Sequence, residues 1–142
     1  MDKVTTKAIP LIHTIPWPLA QQFEKLAALR GVSAVARGEV SSSQTQGGFF
    51  QAANRVRGSI RRLSHLPVSP KSTQTWWQRR NAFCQRHDAQ QAQNHEAWVE
   101  TKGKYKGTPT RRQLGLIMWM GSNLSPSQLR TLLPQVKQVI KK

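Results

Sequence analysis

Acidic side chains are scarce in this sequence: six Asp and Glu stand against twenty-two Lys and Arg in 142 residues. The six, Asp2, Glu24, Glu39, Asp88, Glu96 and Glu100, are scattered, and only Glu96 and Glu100 stand four apart on an expected helix. A two-metal nuclease needs several carboxylates converging on one site, which this distribution hardly supplies. Cysteine is scarcer still. Cys84 is alone, so a disulfide within the chain is excluded and a reducing compartment suits the protein. Cys84, His87 and Asp88 share one helical face with His95 two turns on, but the paired spacings of structural zinc sites are missing. The reading is a buried thiol beside surface imidazoles, with no metal and no cofactor. His13 and His65 lie in proline-flanked segments and point to nothing further.

Gly47-Gly48 and the Gly103 to Gly107 stretch match neither phosphate-binding glycine motif. No apolar run approaches the ~18 residues that cross a bilayer, and no myristoylation, prenylation or secretory pattern is seen. These absences lead to the expectation of a non-enzymatic chain, away from membranes, cytoplasmic or inside a virus particle.

Five Trp and four Phe supply material for a core although only 37% of residues are hydrophobic. The expected architecture is all-α, a small bundle of about five helices with an extended proline-rich N-terminal arm. Residues 1–18 form that arm, because Pro10, Pro16 and Pro18 interrupt Ile9, Leu11, Ile12, Ile15 and Trp17. Residues 19–142 form one helical domain, with a mobile loop near 38–48. Helices are expected from Leu19 to a stop at Gly31, over Phe49–Leu66 with a weak point at Gly58, and over Thr73–Val99. A fourth starts from Thr108 as cap and Pro109 as first residue. The fifth starts from Ser125-Pro126-Ser127-Gln128, a capping box, with Pro134 kinking or restarting it. No alternating runs call for strands.

What is abundant is positive charge, +16 net, and the natural counterpart is a polyanion. Three clusters carry it. Arg55, Arg57, Arg61 and Arg62 form the first, Arg79, Arg80 and Arg86 the second, and Lys102, Lys104, Lys106, Arg111 and Arg112 the third. Arg presents planar forks to phosphate oxygens, and Tyr105 in the glycine-flanked third cluster is the candidate stacking platform, whereas helical spacing assigns Trp76 and Trp77 to the core. Arg111 and Arg112 in the first turn of a helix oppose its dipole, which a bound phosphate would offset.

The run Arg79-Arg80-Asn81-Ala82-Phe83-Cys84-Gln85-Arg86, followed by Gly107-Thr108-Pro109-Thr110-Arg111-Arg112-Gln113-Leu114 and Trp119, resembles a motif order of small basic tailed-phage proteins of unknown function. The resemblance implies a viral or mobile-element origin. In architecture alone, a short, basic, all-helical chain is similar to the small subunits of CRISPR effector complexes, which line a nucleic-acid strand without catalysis. The function expected is a non-catalytic subunit gripping the phosphate backbone of RNA or DNA with low sequence specificity, among other protein subunits of a nucleoprotein assembly. Two alternatives stand beside it: a tailed-phage virion structural protein, and a helix-turn-helix regulator built on Pro109–Lys137 with Gly121 in the turn.

Overall fold

The computed structural model describes residues 12–34, 36–37, 48–93 and 98–141. The chain is mostly helical, as its patterning implies. Helix α1 spans Trp17–Gln21, α2 Glu24–Leu29, α3 Phe49–Arg55, α4 Ile60–Leu63, α5 Trp76–Gln93, α6 Arg111–Ile117 and α7 Pro126–Lys141. Two two-residue strands, β1 (His13–Thr14) and β2 (Gly121–Ser122), pair antiparallel, with His13 opposite Ser122. Such a pair is too short to leave an alternating pattern in the sequence, so a strictly all-α expectation misses it.

Two of the expected helices are each divided. The first breaks at Gln22–Phe23, where Gln22 N donates to Leu19 O and Phe23 N to Ala20 O, the tighter i to i+3 pattern. Phe23 stays fully buried through the break. The division at Gly58 is sharper. Gly58 N donates to Ala53 O at 2.8 Å and Arg57 N to Asn54 O at 3.2 Å, which closes α3 with a Schellman motif. Arg57 and Gly58 both take left-handed backbone, at φ 52° and 72°. The helical phase restarts at Ser59, whose hydroxyl caps α4, so Leu63 is buried while Ile60, which an unbroken helix over Phe49–Leu66 would place on the same face, is 40% exposed. Gly31 closes α2 as its position implies: Val32 N reaches Ala27 O at 2.8 Å with Gly31 at φ 67°.

α5 begins at Trp76, three residues after the expected start at Thr73, and opens with a capping box at Thr75. Thr75 N donates to Gln78 Oε1 and Gln78 N to Thr75 Oγ1. The expected continuation of this helix to Val99 is corrected. Val99 bridges Pro109, Glu100 N donates to Thr108 O and Gly107 N to Glu100 O, so the basic stretch 101–107 is the tip of a hairpin. That bridge keeps Pro109 extended, and the cap of α6 is therefore Thr110, which accepts from Gln113 N, rather than Thr108. The capping box of α7 forms as expected, with Ser125 N on Gln128 Oε1 at 2.8 Å and Gln128 N on Ser125 Oγ at 3.2 Å. Pro134 sits within α7, which continues to Lys141.

Ile15, Phe23, Leu26, Phe49, Phe50, Leu63, Trp76, Leu114, Ile117, Met118, Leu129 and Val136 form one core. The described end of the N-terminal arm lies on it: Ile15 is fully buried and its N–H donates to Met120 O. Residues 1–11 of the arm, most of the loop expected near 38–48, and His95 and Glu96 fall outside the described residues. Phe83, Trp119 and Phe49 form a column of near-parallel rings, at centroid distances of 4.4 and 5.1 Å. Trp76 meets Phe49 edge-on. The tryptophans at helical spacing thus serve packing, and each such ring pair adds about 0.5–1.5 kcal/mol beyond its buried area.

Candidate functional site

The three basic clusters separate in space by role. In the first, Arg55 and Arg57 are exposed at the end of α3, and Arg61 and Arg62 on α4 line an open cavity of about 710 Å³ with Val56, His65 and Leu66. His65 donates from Nδ1 to the Arg61 carbonyl oxygen at 2.9 Å, which leaves Nε2 as the ring's other polar atom.

The second cluster does not form a surface. Arg80 is 5% exposed and its guanidinium is spent inside the fold: Nε donates to Trp119 O at 2.9 Å, Nη2 to Met120 O at 2.7 Å and Thr14 Oγ1 at 3.2 Å, and Nη1 to Asn81 Oδ1 at 3.1 Å. It also lies over the Trp77 ring, 4.6 Å from the centroid. Burial pushes its pKa below the ordinary value, an effect opposed by its electrostatic interaction with Cys84. Arg80 therefore ties α5 to the end of α6 and to β1, and its expected place on a phosphate-gripping face does not match this burial. Arg79 donates to Gln74 Oε1 at 2.9 Å, and Arg86 is exposed. Cys84, one turn from Arg80, is buried at 7% exposure. A Cβ on Gly121 would stand 3.2 Å from its sulfur and 3.4 Å from Arg80 Nη2, so the glycine is what lets β2 approach both.

The third cluster divides between a hairpin tip and a helix start. Lys102, Lys104 and Lys106 are exposed, whereas Tyr105 is half-buried beneath Arg30, whose guanidinium carbon is 4.2 Å from the ring centroid. Arg30 also pairs with Glu100 at 2.9 Å. The aromatic expected to stack on a base is thus already covered by a cation held in an ion pair. Arg111 donates to the Arg30 carbonyl, and Arg112 and Phe83 line a cavity of about 430 Å³ with Gly31, Val32, Ser33 and Gly115.

One polar constellation went unforeseen. Gln113 is fully buried; its Nε2 donates to Asn123 Oδ1 at 2.6 Å, and its Oε1 accepts from Asn123 N at 3.0 Å and from Ser122 Oγ at 3.4 Å. This knot fixes β2 against α6, and since Gly121–Ser122 pairs with β1, the link between α6 and α7 is not the turn of a helix-turn-helix. A Gln on the inner face of an apolar helix was the one available signal. Among the described residues, no group of three or more His, Cys, Asp or Glu converges to hold a metal ion. None of the helices is long and apolar enough among those residues to cross a membrane.

No curated protein matches the sequence. Residues 48–140, however, match the family described as Mimivirus sulfhydryl oxidase R596-like, C-terminal domain. This overturns the expected nucleic-acid-binding subunit of a nucleoprotein assembly, and with it the regulator and phage-virion alternatives. The likeness to small basic phage proteins and to CRISPR small subunits gives way to the same finding. Net charge and arginine clustering report affinity for anions in general, and they carried those readings too far. The match covers well over half of the chain, and the protein belongs to the family of R596-like sulfhydryl oxidase C-terminal domains.

Proposed function

We propose that this domain is a non-catalytic docking module that holds an acidic protein close to a thiol oxidase. Forming a disulfide removes two electrons and two protons from a pair of thiols. A protein that relays them through its own sulfurs cycles between dithiol and disulfide. These 142 residues contain one cysteine, so no dithiol relay can form within them, and Cys84 is buried, out of reach of another protein's sulfur. The thiol-oxidising step named in the family description is accordingly assigned to another domain or subunit. The observation that carries the docking role is charge: at most six of twenty-two cations can be neutralised within the chain, so a large positive surface remains for an acidic partner.

The test is binding of the purified chain to immobilised poly-L-glutamate over a range of salt. Binding that weakens steeply as salt rises is expected. Absence of binding at low salt overturns the docking role.

A further inference from the structure

α2 and α7 pack side by side, and two cavities run along their seam. One of about 250 Å³ is lined by Leu29, Lys104, Val139 and Ile140. The other, about 490 Å³, is lined by Gln21, Gln22, Glu24, Lys25, Lys137, Ile140 and Lys141. Ile140 lines both, so the two adjoin at that side chain as neighbouring parts of one groove along the seam. The larger cavity is polar apart from Ile140, so the apolar part of the groove is the smaller one, walled by Leu29, Val139 and Ile140, and Leu29, 53% exposed, is the most exposed large apolar side chain among the described residues. The rim of the groove is basic, with Lys25, Lys104, Lys137 and Lys141 all exposed and Glu24 the one acidic group lining it.

We propose that this groove is the docking site itself, and that it receives an acidic amphipathic peptide segment of a partner protein. The inference rests on the docking role above and deepens it. The Leu29, Val139 and Ile140 end takes the apolar side chains of such a segment, and the lysines along the rest of the groove meet its carboxylates, the arrangement by which amphipathic segments are held in grooves. The same chemistry argues against other occupants. A second copy of the chain would bring another +16 charge against this rim. A polynucleotide gains little from Leu, Val and Ile, since bases bind on aromatic faces.

The experiment is fluorescence anisotropy with three labelled peptides: an acidic peptide with Leu at helical spacing, a scrambled peptide of the same composition, and poly-L-glutamate. Expected is binding of the amphipathic peptide at least ~10-fold tighter than of the other two. Leu29→Gln, at an exposed position, is expected to weaken the amphipathic peptide ~10-fold while leaving poly-L-glutamate unchanged. The combined Lys25→Gln, Lys137→Gln and Lys141→Gln variant should weaken the amphipathic peptide by at least as much. Equal affinity for all three peptides, or indifference to Leu29→Gln, overturns the groove while the docking role survives on other cations. Failure of every peptide, poly-L-glutamate included, overturns both. A dimer in sedimentation that Leu29→Gln dissolves assigns the groove to a second copy and likewise overturns the proposal.

Discussion

Replacing Gly58 by Ala tests the way the N-terminal segment is locked to the α3–α4 turn. Gly58 has φ +72°, and a Cβ built there would lie 2.1 Å from Trp17 Cβ and 2.4 Å from Trp17 Cγ. Gly31 has nearly the same backbone, φ +67°, with nothing within 4 Å of its added Cβ. The two substitutions therefore share the left-handed backbone cost, about 1 kcal/mol, and the same entropic gain from restricting the unfolded chain. They differ only in the clash. Trp17 Cβ is fixed to its backbone, so no rotamer removes it, and α1 must shift away or the turn must open. Overpacking of this kind costs about 1–3 kcal/mol. Gly58→Ala should thus cost about 2–4 kcal/mol against about 1 kcal/mol for Gly31→Ala. At roughly 2–4 °C per kcal/mol, the first should melt several degrees below the second. Urea unfolding followed by tryptophan fluorescence reads both. Equal destabilisation of the two variants refutes the placement of Trp17 against this turn.

Arg57→Gly removes a non-glycine residue from the left-handed position that closes α3 and should stabilise the fold by about 0.5–1 kcal/mol, read as a higher urea midpoint. Arg80→Met keeps the unbranched apolar stem of the side chain but leaves the Trp119 and Met120 carbonyls without their donor. A loss of about 2–4 kcal/mol is expected in urea unfolding, with Arg80→Lys recovering only part because an ammonium cannot reproduce the fork. Cys84 should react with Ellman's reagent on the order of 100-fold more slowly in the native protein than in urea, and rapid native labelling would show that the thiol is accessible.

Local signals in the sequence located much of the helical framework. Ser125-Pro126-Ser127-Gln128 carries its own hydrogen-bonding partners, and Gly31 its own backbone conformation, so both ends could be read from a few adjacent residues. Gly58 announced a weakness, but not that Arg57 would join it in left-handed backbone and turn Ile60 outward. The features that escaped depend on partners far along the chain. Pro109 is extended because it meets Val99, and β2 exists because His13 and Thr14 reach it across more than a hundred residues. Arg80 is the clearest case. Its place between Arg79 and Arg86 in a basic cluster marked it as a surface cation, whereas the carbonyls that hold it come from residues 119 and 120. The groove was legible in parts, since Lys25, Leu29, Lys137 and Ile140 lie on evident helices, but only the packing of α2 on α7 joins them.

The proposed docking domain binds without oxidising thiols, and thiol loss is the most direct measure of that. Purified wild-type chain and a Cys84→Ala variant, incubated in air with dithiothreitol and a metal chelator, should both leave the dithiol oxidising at the rate of buffer alone. Wild-type oxidation well above that rate, abolished by Cys84→Ala with the fold intact, would contradict the account and give Cys84 a catalytic role.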